Sequence, residues 1–390
     1  MKVLVCPLDW GLGHATRCVP LIQALLAEGH EVSVGATGGG LDLLRAEFPA
    51  LDVFPFPGYR VRYSRSAAAF LPVMAAQLPA ILLGMRSERL RLSALVAGKG
   101  YDIVIADGRY GLKLPKTPSI FITHQVGIRI PGRFPARGIA EALLRKLNLA
   151  KLGTFDRVWI PDHAGDLSLS GELGRSHDAP ANVEWIGPLS RFHADPSRPR
   201  TPVDVLAVVS GPEPQRGLFE AALWVELERM PGTRVLVRGL PGAGKGRLAP
   251  NGAAAPKAGA LTVHDHLPGE SLARLFAGAK LVVARSGYTT VMELASLGTA
   301  AAVLVPTPGQ SEQLYLADHL QSLGAALKRE QGDLGLASAA EATRSLPGFR
   351  RWRRGADAHA DLRAFIASHP LFRKEEAEAR FGAIGKTAQQ

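Results

Sequence analysis

Short runs of apolar, often β-branched residues alternate along the chain with longer stretches in which apolar positions recur every three or four residues. The apolar runs at 2–6, 31–34, 101–106, 119–123 and 155–160 read as buried parallel strands, and those at 204–209, 234–238, 261–264, 280–284 and 301–305 as a second set. Between them, 19–29, 41–46, 217–228, 272–277 and 291–297 have helical spacing, the first stopped by Gly29. Strand and helix in alternation predict an α/β fold with doubly wound parallel sheets. The stretch 186–202 breaks the alternation, rich in proline, serine and arginine. Two Rossmann-like lobes are therefore expected, at 1–190 and 203–348, joined by a linker at 191–202 and followed by a helical tail at 349–390.

A chain of 390 residues suffices for two such cores. Its net charge of +11 implies an anionic partner. The basic residues are scattered and aromatic residues make up 6%, so the clustered stripe and stacking platform of a nucleic-acid binder are missing. Phosphorylated substrates or an anionic membrane face fit better. Cys6 and Cys18 fall on the first strand and helix and read as small buried hydrophobes. Met1 runs straight into a strand with no signal-peptide pattern, which points to the cytoplasm. One segment complicates this. Residues 66–85 carry no charge and are flanked by Arg65 and Arg86, but Pro72 and Pro79 interrupt them. A helix lying in a membrane interface, an acceptor groove for a lipid, and a helix packed within the first lobe are all compatible with that composition.

The densest chemistry lies at Arg285-Ser-Gly-Tyr-Thr-Thr-Val-Met-Glu293, between a strand and a helix. At such a turn the N–H groups of Gly287, Tyr288 and Thr289 are unpaired at the positive end of the helix dipole and favour an anion. Ser286, Thr289 and Thr290 add hydroxyls. One turn on, Glu293 is an acceptor suited to the two hydroxyls of a ribose. A nucleoside diphosphate fits the set better than bare phosphate. In the first lobe, Asp107, Arg109, His124 and Gln125 follow strand C-termini, where an open parallel sheet places its ligand crevice, and are candidate acceptor contacts. Two motif-like strings lack what they need. Gly239 to Lys245 has the glycines and lysine of a P-loop, but Gly246 replaces the hydroxyl that would hold Mg²⁺, and His264-Asp-His266 has no third ligand cluster. Neither a metal nor a bound cofactor is expected.

The 285–293 motif, the strand at 301–305, Pro306 and the loop Gly309-Gln-Ser-Glu-Gln313 together resemble the donor half of GT-B glycosyltransferases, in particular the group of the lipid II-forming GlcNAc transferase. That resemblance implies that Ser286, Gly287 and Thr289 hold diphosphate, Glu293 ribose, and Gln310, Glu312 and Gln313 the hexose. It also places Ser210, Gly211 and Arg216 near the phosphates, residues 265–267, ending at Leu267, near uracil, and the tail back on the first lobe. The string Gly11-Leu-Gly13-His14-Ala-Thr-Arg17 resembles the Gly-x-Gly-His motif of the same group, whose histidine lies near the reacting hydroxyl. A histidine at a helix start stays neutral and can take a proton, so His14 is the candidate base, with Gly13 and Arg17 on the acceptor side and Asp107 as a carboxylate able to orient it. The implied activity is a metal-independent, inverting transfer of a hexose from a UDP-sugar to a small-molecule or lipid hydroxyl, at or near the inner face of a membrane, with Arg285 or Arg216 helping to offset the departing diphosphate. The glycine pattern around Gly11, Asp9-Trp10 and the 107–111 loop depart from the lipid II enzyme, which leaves the acceptor open. A UDP-sugar hydrolase of the pseudaminic acid pathway type, sharing Gly-x-Gly-His-x-x-Arg, and a non-catalytic sugar-nucleotide-binding protein are the competing readings.

Overall fold

The computed structural model describes residues 1–9, 11–58, 70–128, 130, 137–195, 197, 199–240, 259–355 and 358–373, with backbone alone for 70–75 and 358. The string at 239–245 past Leu240 and the tail past Arg373 lie outside the described residues, as do residues 66–69 of the uncharged stretch. The chain divides into two compact units. Unit 1 holds Met1–Trp10, His14–Leu189 and Asp357–Gln390, and unit 2 holds Gly11–Gly13 with Ser190–Ala356.

Unit 1 runs β1 (Lys2–Pro7), α1 (Leu12–Ala27), β2 (Glu31–Ala36), α2 (Gly38–Glu47), β3 (Asp52–Pro55), α3 (Phe70–Lys99), β4 (Ile103–Asp107), β5 (Ser119–Ile122), α4 (Arg137–Leu152), β6 (Arg157–Ile160) and β7 (Val183–Trp185). Its seven strands lie in the order β3-β2-β1-β4-β5-β6-β7, all parallel. Leu4, Val104, Phe121 and Val158 fill one side of the sheet. Burial of each such side chain contributes about 1.5–3 kcal/mol.

Unit 2 follows with β8 (Val203–Val208), α5 (Gln215–Arg229), β9 (Arg234–Val237), β10 (Leu261–His264), α6 (Gly269–Gly278), β11 (Ala279–Ala284), α7 (Tyr288–Leu297), β12 (Ala302–Leu304), α8 (Ser311–Ser322), β13 (Leu327–Lys328) and α9 (Leu336–Ala342). Its order is β10-β9-β8-β11-β12-β13, again all parallel. Renumbered from its own first strand this is 3-2-1-4-5-6, the order of the first six strands of unit 1. Each sheet reverses direction of winding beside its first strand, between β1 and β4 and between β8 and β11. Ligands of open α/β sheets bind outside the strand C-termini at such switch points.

The chain then re-enters unit 1 as α10 (Ala358–Ser368). There Phe365, His369 and Phe372 ring Trp159, with centroids 5.4, 5.6 and 6.1 Å away, and Arg363 pairs with Glu28 at 2.9 Å. Trp159 is fully buried.

One element differs from expectation. Helix α1 begins at Leu12 and not near Val19, so His14 and Arg17 lie within the helix, with Pro20 inside it. Proline cannot bond the carbonyl four residues back, which makes it look like a helix start in sequence; here the packing of an almost wholly buried helix outweighs one lost bond. The uncharged stretch enters α3, which carries on through Pro79 to Lys99, and among the described residues no helix is long and apolar enough to cross a membrane. The short strands β3, β7 and β13 and the helices α4 and α9 carry periodicities too brief or too mixed to be anticipated.

Candidate functional site

In unit 1 the switch point brings together residues from three elements. Register pairs Pro7 at the end of β1 with Asp107 at the end of β4, so the N-terminal turn of α1 rises beside that aspartate. His14 Nδ1 is 3.0 Å from Asp107 Oδ1. Arg17, one turn further along α1, donates from Nε to Asp107 Oδ2 at 2.7 Å and from Nη2 to Oδ1. Its Nη1 lies 3.3 Å from Nδ1 of His124, which follows β5. Asp107 and Arg17 are buried, whereas the His14 side chain keeps 19% exposure. Gly108 turns the chain with φ +71°, and a Cβ there would stand 3.1 Å from His14 Cε1. Glycine gives the ring its room.

The electrostatics follow from this packing. Burial alone would raise the Asp107 carboxyl, but Arg17 and His14 outweigh it and hold the group far below the usual carboxylate range. For His14 burial dominates, Asp107 pulls the other way and Arg17 adds to burial, so the ring titrates below 6.5. Burial pushes the neighbouring Cys18 thiol well up, and it stays a neutral hydrophobe. His14 Nδ1 lies 3.0 Å from Asp107 Oδ1 and 2.9 Å from Arg17 Nη2; in the tautomer that gives its Nδ1 proton to Asp107, Nε2 carries the lone pair. A neutral imidazole held this way can accept a proton.

Several expected acceptor contacts have other duties. Arg17 and Asp107 satisfy one another. Arg109 is enclosed: it pairs with buried Glu88 on α3, donates to the Phe56 carbonyl at 2.9 Å and lies over the Phe56 ring. A guanidinium taken out of water needs such partners, and Arg109 braces α3 against Phe56. His124 is buried beside Arg17. Gln125 is half-buried, its carbonyl accepting from Asn148. Gly13 is the second residue of α1.

In unit 2 the corresponding strand ends, β8 and β11, lead to Ser210 and Gly211 on one side and Arg285 to Thr290 on the other. Gly287 caps α7, and a Cβ built on it or on Gly211 would meet nothing within 4 Å. In the first turn of α7 the Thr289 hydroxyl donates to the Gly13 carbonyl at 3.0 Å. Thr289 and Thr290 are half-buried in its first turn, and Leu267 is buried nearby in sequence to the β10 end. Glu293, buried on α7, accepts from Arg191 Nε at 2.8 Å.

Four of the expected residues here already have partners within unit 2. The Arg285 guanidinium is buried over the Phe219 ring at 4.1 Å and donates to the carbonyls of Val305, Pro306 and Gln215 and to Gln331 Oε1; burial lowers its pKa to about 10. It ties β11 to its surroundings. Arg216 is already offset by Glu213 at 2.5 Å and Glu220 at 2.6 Å. Ser286, fully buried, gives its hydroxyl proton to the Gln313 carbonyl, and the Gln313 side-chain oxygen accepts from the Thr307 N–H. Those two residues shape the turn. Gln310, at the N-cap of α8, and Glu312, in its first turn, stay half-buried. Among the described residues no three His, Cys, Asp or Glu side chains cluster as metal ligands. Arg191 and Glu88 escaped the sequence reading, since neither stands near its partner in the chain.

The two sheets and their order define the architecture as GT-B: two parallel-sheet α/β units, with solved glycosyltransferases sharing it. A spinosyn rhamnosyltransferase aligns over 97% of this chain and 99% of its own with a TM-score of 0.56, at 18% identity. Residues 269–346, which contain α7, Glu293 and the start of α8 at 310–313, match the glycosyltransferase family 28 C-terminal domain. Within 66 residues (17% of this chain, 18% of the relative) the chain is 44% identical to the UDP-N-acetylglucosamine–N-acetylmuramyl-(pentapeptide) pyrophosphoryl-undecaprenol N-acetylglucosamine transferase of Haemophilus influenzae. An uncharacterized glycosyltransferase of Methanosarcina acetivorans is 28% identical over 203 residues, 49% of this chain and 50% of that one. The chain spans about half the length of the curated relatives it matches.

Proposed function

We propose that this protein is a glycosyltransferase that moves a hexose from a UDP-sugar to a hydroxyl acceptor by one inverting displacement, without a metal. The observation that carries the reading is the glycine-capped N-terminus of α7 at the β8/β11 switch point, in the segment matching family 28, with Glu293 in the same helix. Diphosphate would lie on the N–H groups of Gly287, Tyr288 and Thr289, and the ribose diol on Glu293. The acceptor would bind at unit 1. His14 Nε2 takes the acceptor proton, the freed oxygen bonds to the anomeric carbon as the bond to the diphosphate oxygen breaks, and the sugar inverts. The departing charge is met by the α7 N–H groups and dipole, since Arg285 and Arg216 are otherwise engaged.

An apolar or lipid-linked acceptor at a membrane surface is supported by unit 1. On α4, Ile139, Leu143 and Leu147 recur at four-residue spacing and are exposed at 75%, 58% and 59%. On α3, Leu78, Leu82 and Leu83 are exposed as well, with exposed Arg86 and Arg89 further along. Stripes of this kind rarely stay bare, and the adjoining cations suit anionic headgroups.

The test is UDP release from a panel of UDP-sugars, with and without a crude lipid extract, for the native protein and His14→Ala. Release that requires the extract and vanishes in the variant is expected. Release without any acceptor would make the protein a hydrolase, and binding without release in either condition would make it a binding protein.

A further inference from the structure

Glu293 does not present a bare carboxylate. Arg191 Nε reaches its Oε1 at 2.8 Å, and the two side chains are 12% and 7% exposed. The second oxygen, Oε2, has no donor among the described residues. Arg191 is itself held. The Ser190 hydroxyl donates to the Phe192 carbonyl at 2.8 Å and its oxygen accepts from the Phe192 N–H at 3.0 Å, so the backbone on either side of Arg191 is tied down. The guanidinium lies over the Phe192 ring at 4.6 Å, and that ring packs on Phe276 of α6. Its charge is also felt by His266, beyond β10.

We infer that Arg191 is a positioning residue for nucleotide recognition: it fixes Glu293 in one rotamer through Oε1 and leaves Oε2 aimed at the two hydroxyls of a ribose. This rests on the proposed donor site. The physical reason is twofold. A glutamate has three rotatable bonds, and fixing them before the ligand arrives removes that ordering cost from binding. A buried carboxylate also needs a cationic or hydrogen-bonding partner to persist, and as a carboxylate it accepts only, which selects a diol over groups that cannot donate. Arg191 is 102 residues from Glu293 in sequence, at the entry of the chain into unit 2.

The inference makes a ligand-specific prediction. Affinities for UDP and for 2′,3′-dideoxy-UDP, measured by calorimetry on the full chain, are compared for the native protein, Arg191→Ala, Arg191→Lys and Glu293→Gln. Arg191→Ala is expected to weaken UDP roughly 10- to 150-fold, the range for a hydrogen bond to a charged group, and to leave the dideoxy ligand unchanged. Arg191→Lys keeps the charge without the fork, is the variant to read if Arg191→Ala does not fold, and should recover part of the loss. Equal weakening of both ligands would mean that Arg191 meets the phosphates or the base directly, and no weakening would make the pair structural; either overturns the inference. If Glu293→Gln keeps the native preference for UDP over the dideoxy ligand, the ribose assignment itself falls and the inference with it. Loss of discrimination in Glu293→Gln but not in the Arg191 variants sinks the inference alone.

Discussion

His14 and Arg17, three residues apart on one helix, share a single oxygen of Asp107: both His14 Nδ1 and Arg17 Nη2 contact Oδ1. The carboxylate that orients the ring is thus already neutralised by a guanidinium. Asp107 orients the His14 ring through Nδ1, which Arg17 Nη2 also approaches at 2.9 Å, and adds less to its basicity than an unpaired carboxylate would. Asp107→Asn should lower the rate of sugar transfer or UDP release by roughly 10²- to 10⁴-fold, through loss of the oriented tautomer. It should also cost about 3–5 kcal/mol of stability, because Arg17 is left buried without its counter-charge. Steady-state kinetics beside urea denaturation separate the two effects.

Acid should act on both activity and stability in the same direction. His14 titrates below 6.5, so the reactive neutral ring persists below that value and the acid limb of kcat/KM should fall there and not at 6.5. A histidine whose folded pKa lies below its unfolded value adds stability above 6.5 and loses it as pH drops through the folded value. Asp107, depressed from 3.8, adds stability above that value and loses it only at lower pH. Urea midpoints at pH 7.5 and pH 5.5 should therefore drop more for the native protein than for His14→Ala.

Arg285→Met should destabilise unit 2 by about 2–4 kcal/mol, since the carbonyls of Val305, Pro306 and Gln215 lose a charged donor in a buried setting. The folded fraction should keep native affinity for UDP by calorimetry. A loss for UDP that is absent for uridine would return Arg285 to the phosphates.

Gly287→Ala offers the converse. Its φ of −68° suits any residue and a Cβ meets nothing within 4 Å, so the melting temperature should not move. If diphosphate lies against the α7 N-terminus, the added methyl stands in its path, and UDP affinity should fall on the order of tenfold, about 1.4 kcal/mol.

On α4, Leu143→Glu should leave folding intact and abolish cosedimentation with vesicles containing anionic lipid, while UDP binding is unchanged. Vesicle binding equal to the native protein would remove the membrane from the account.

The sequence discloses strands and glycine turns because each is a local pattern: the runs at 2–6 and 280–284 and the Ser-Gly turn need no distant partner to be read. It does not disclose the fate of the arginines. Arg17, Arg109, Arg216 and Arg285 all stand at helix starts or strand ends where a ligand anion is plausible, and each is already partnered, Arg109 by Glu88 21 residues earlier and Arg17 by Asp107 90 residues later. Spacing cannot reveal which cations the fold neutralises internally. The same blindness hid Arg191. His14 and Asp107 can be brought together from sequence because Asp107 ends β4 and His14 lies in the first turn of the helix after β1, the strand that the parallel sheet places beside β4.

Trp159 gives the protein an optical gauge of its own. Its indole is walled by the rings of Phe365, His369 and Phe372 and donates to Glu184 at 2.9 Å, so its emission reports whether the last helix lies in place. Of the five tryptophans, this one answers to a segment more than two hundred residues away in the chain. Stopped-flow fluorescence would time the moment at which the departing chain is recaptured by the unit it left.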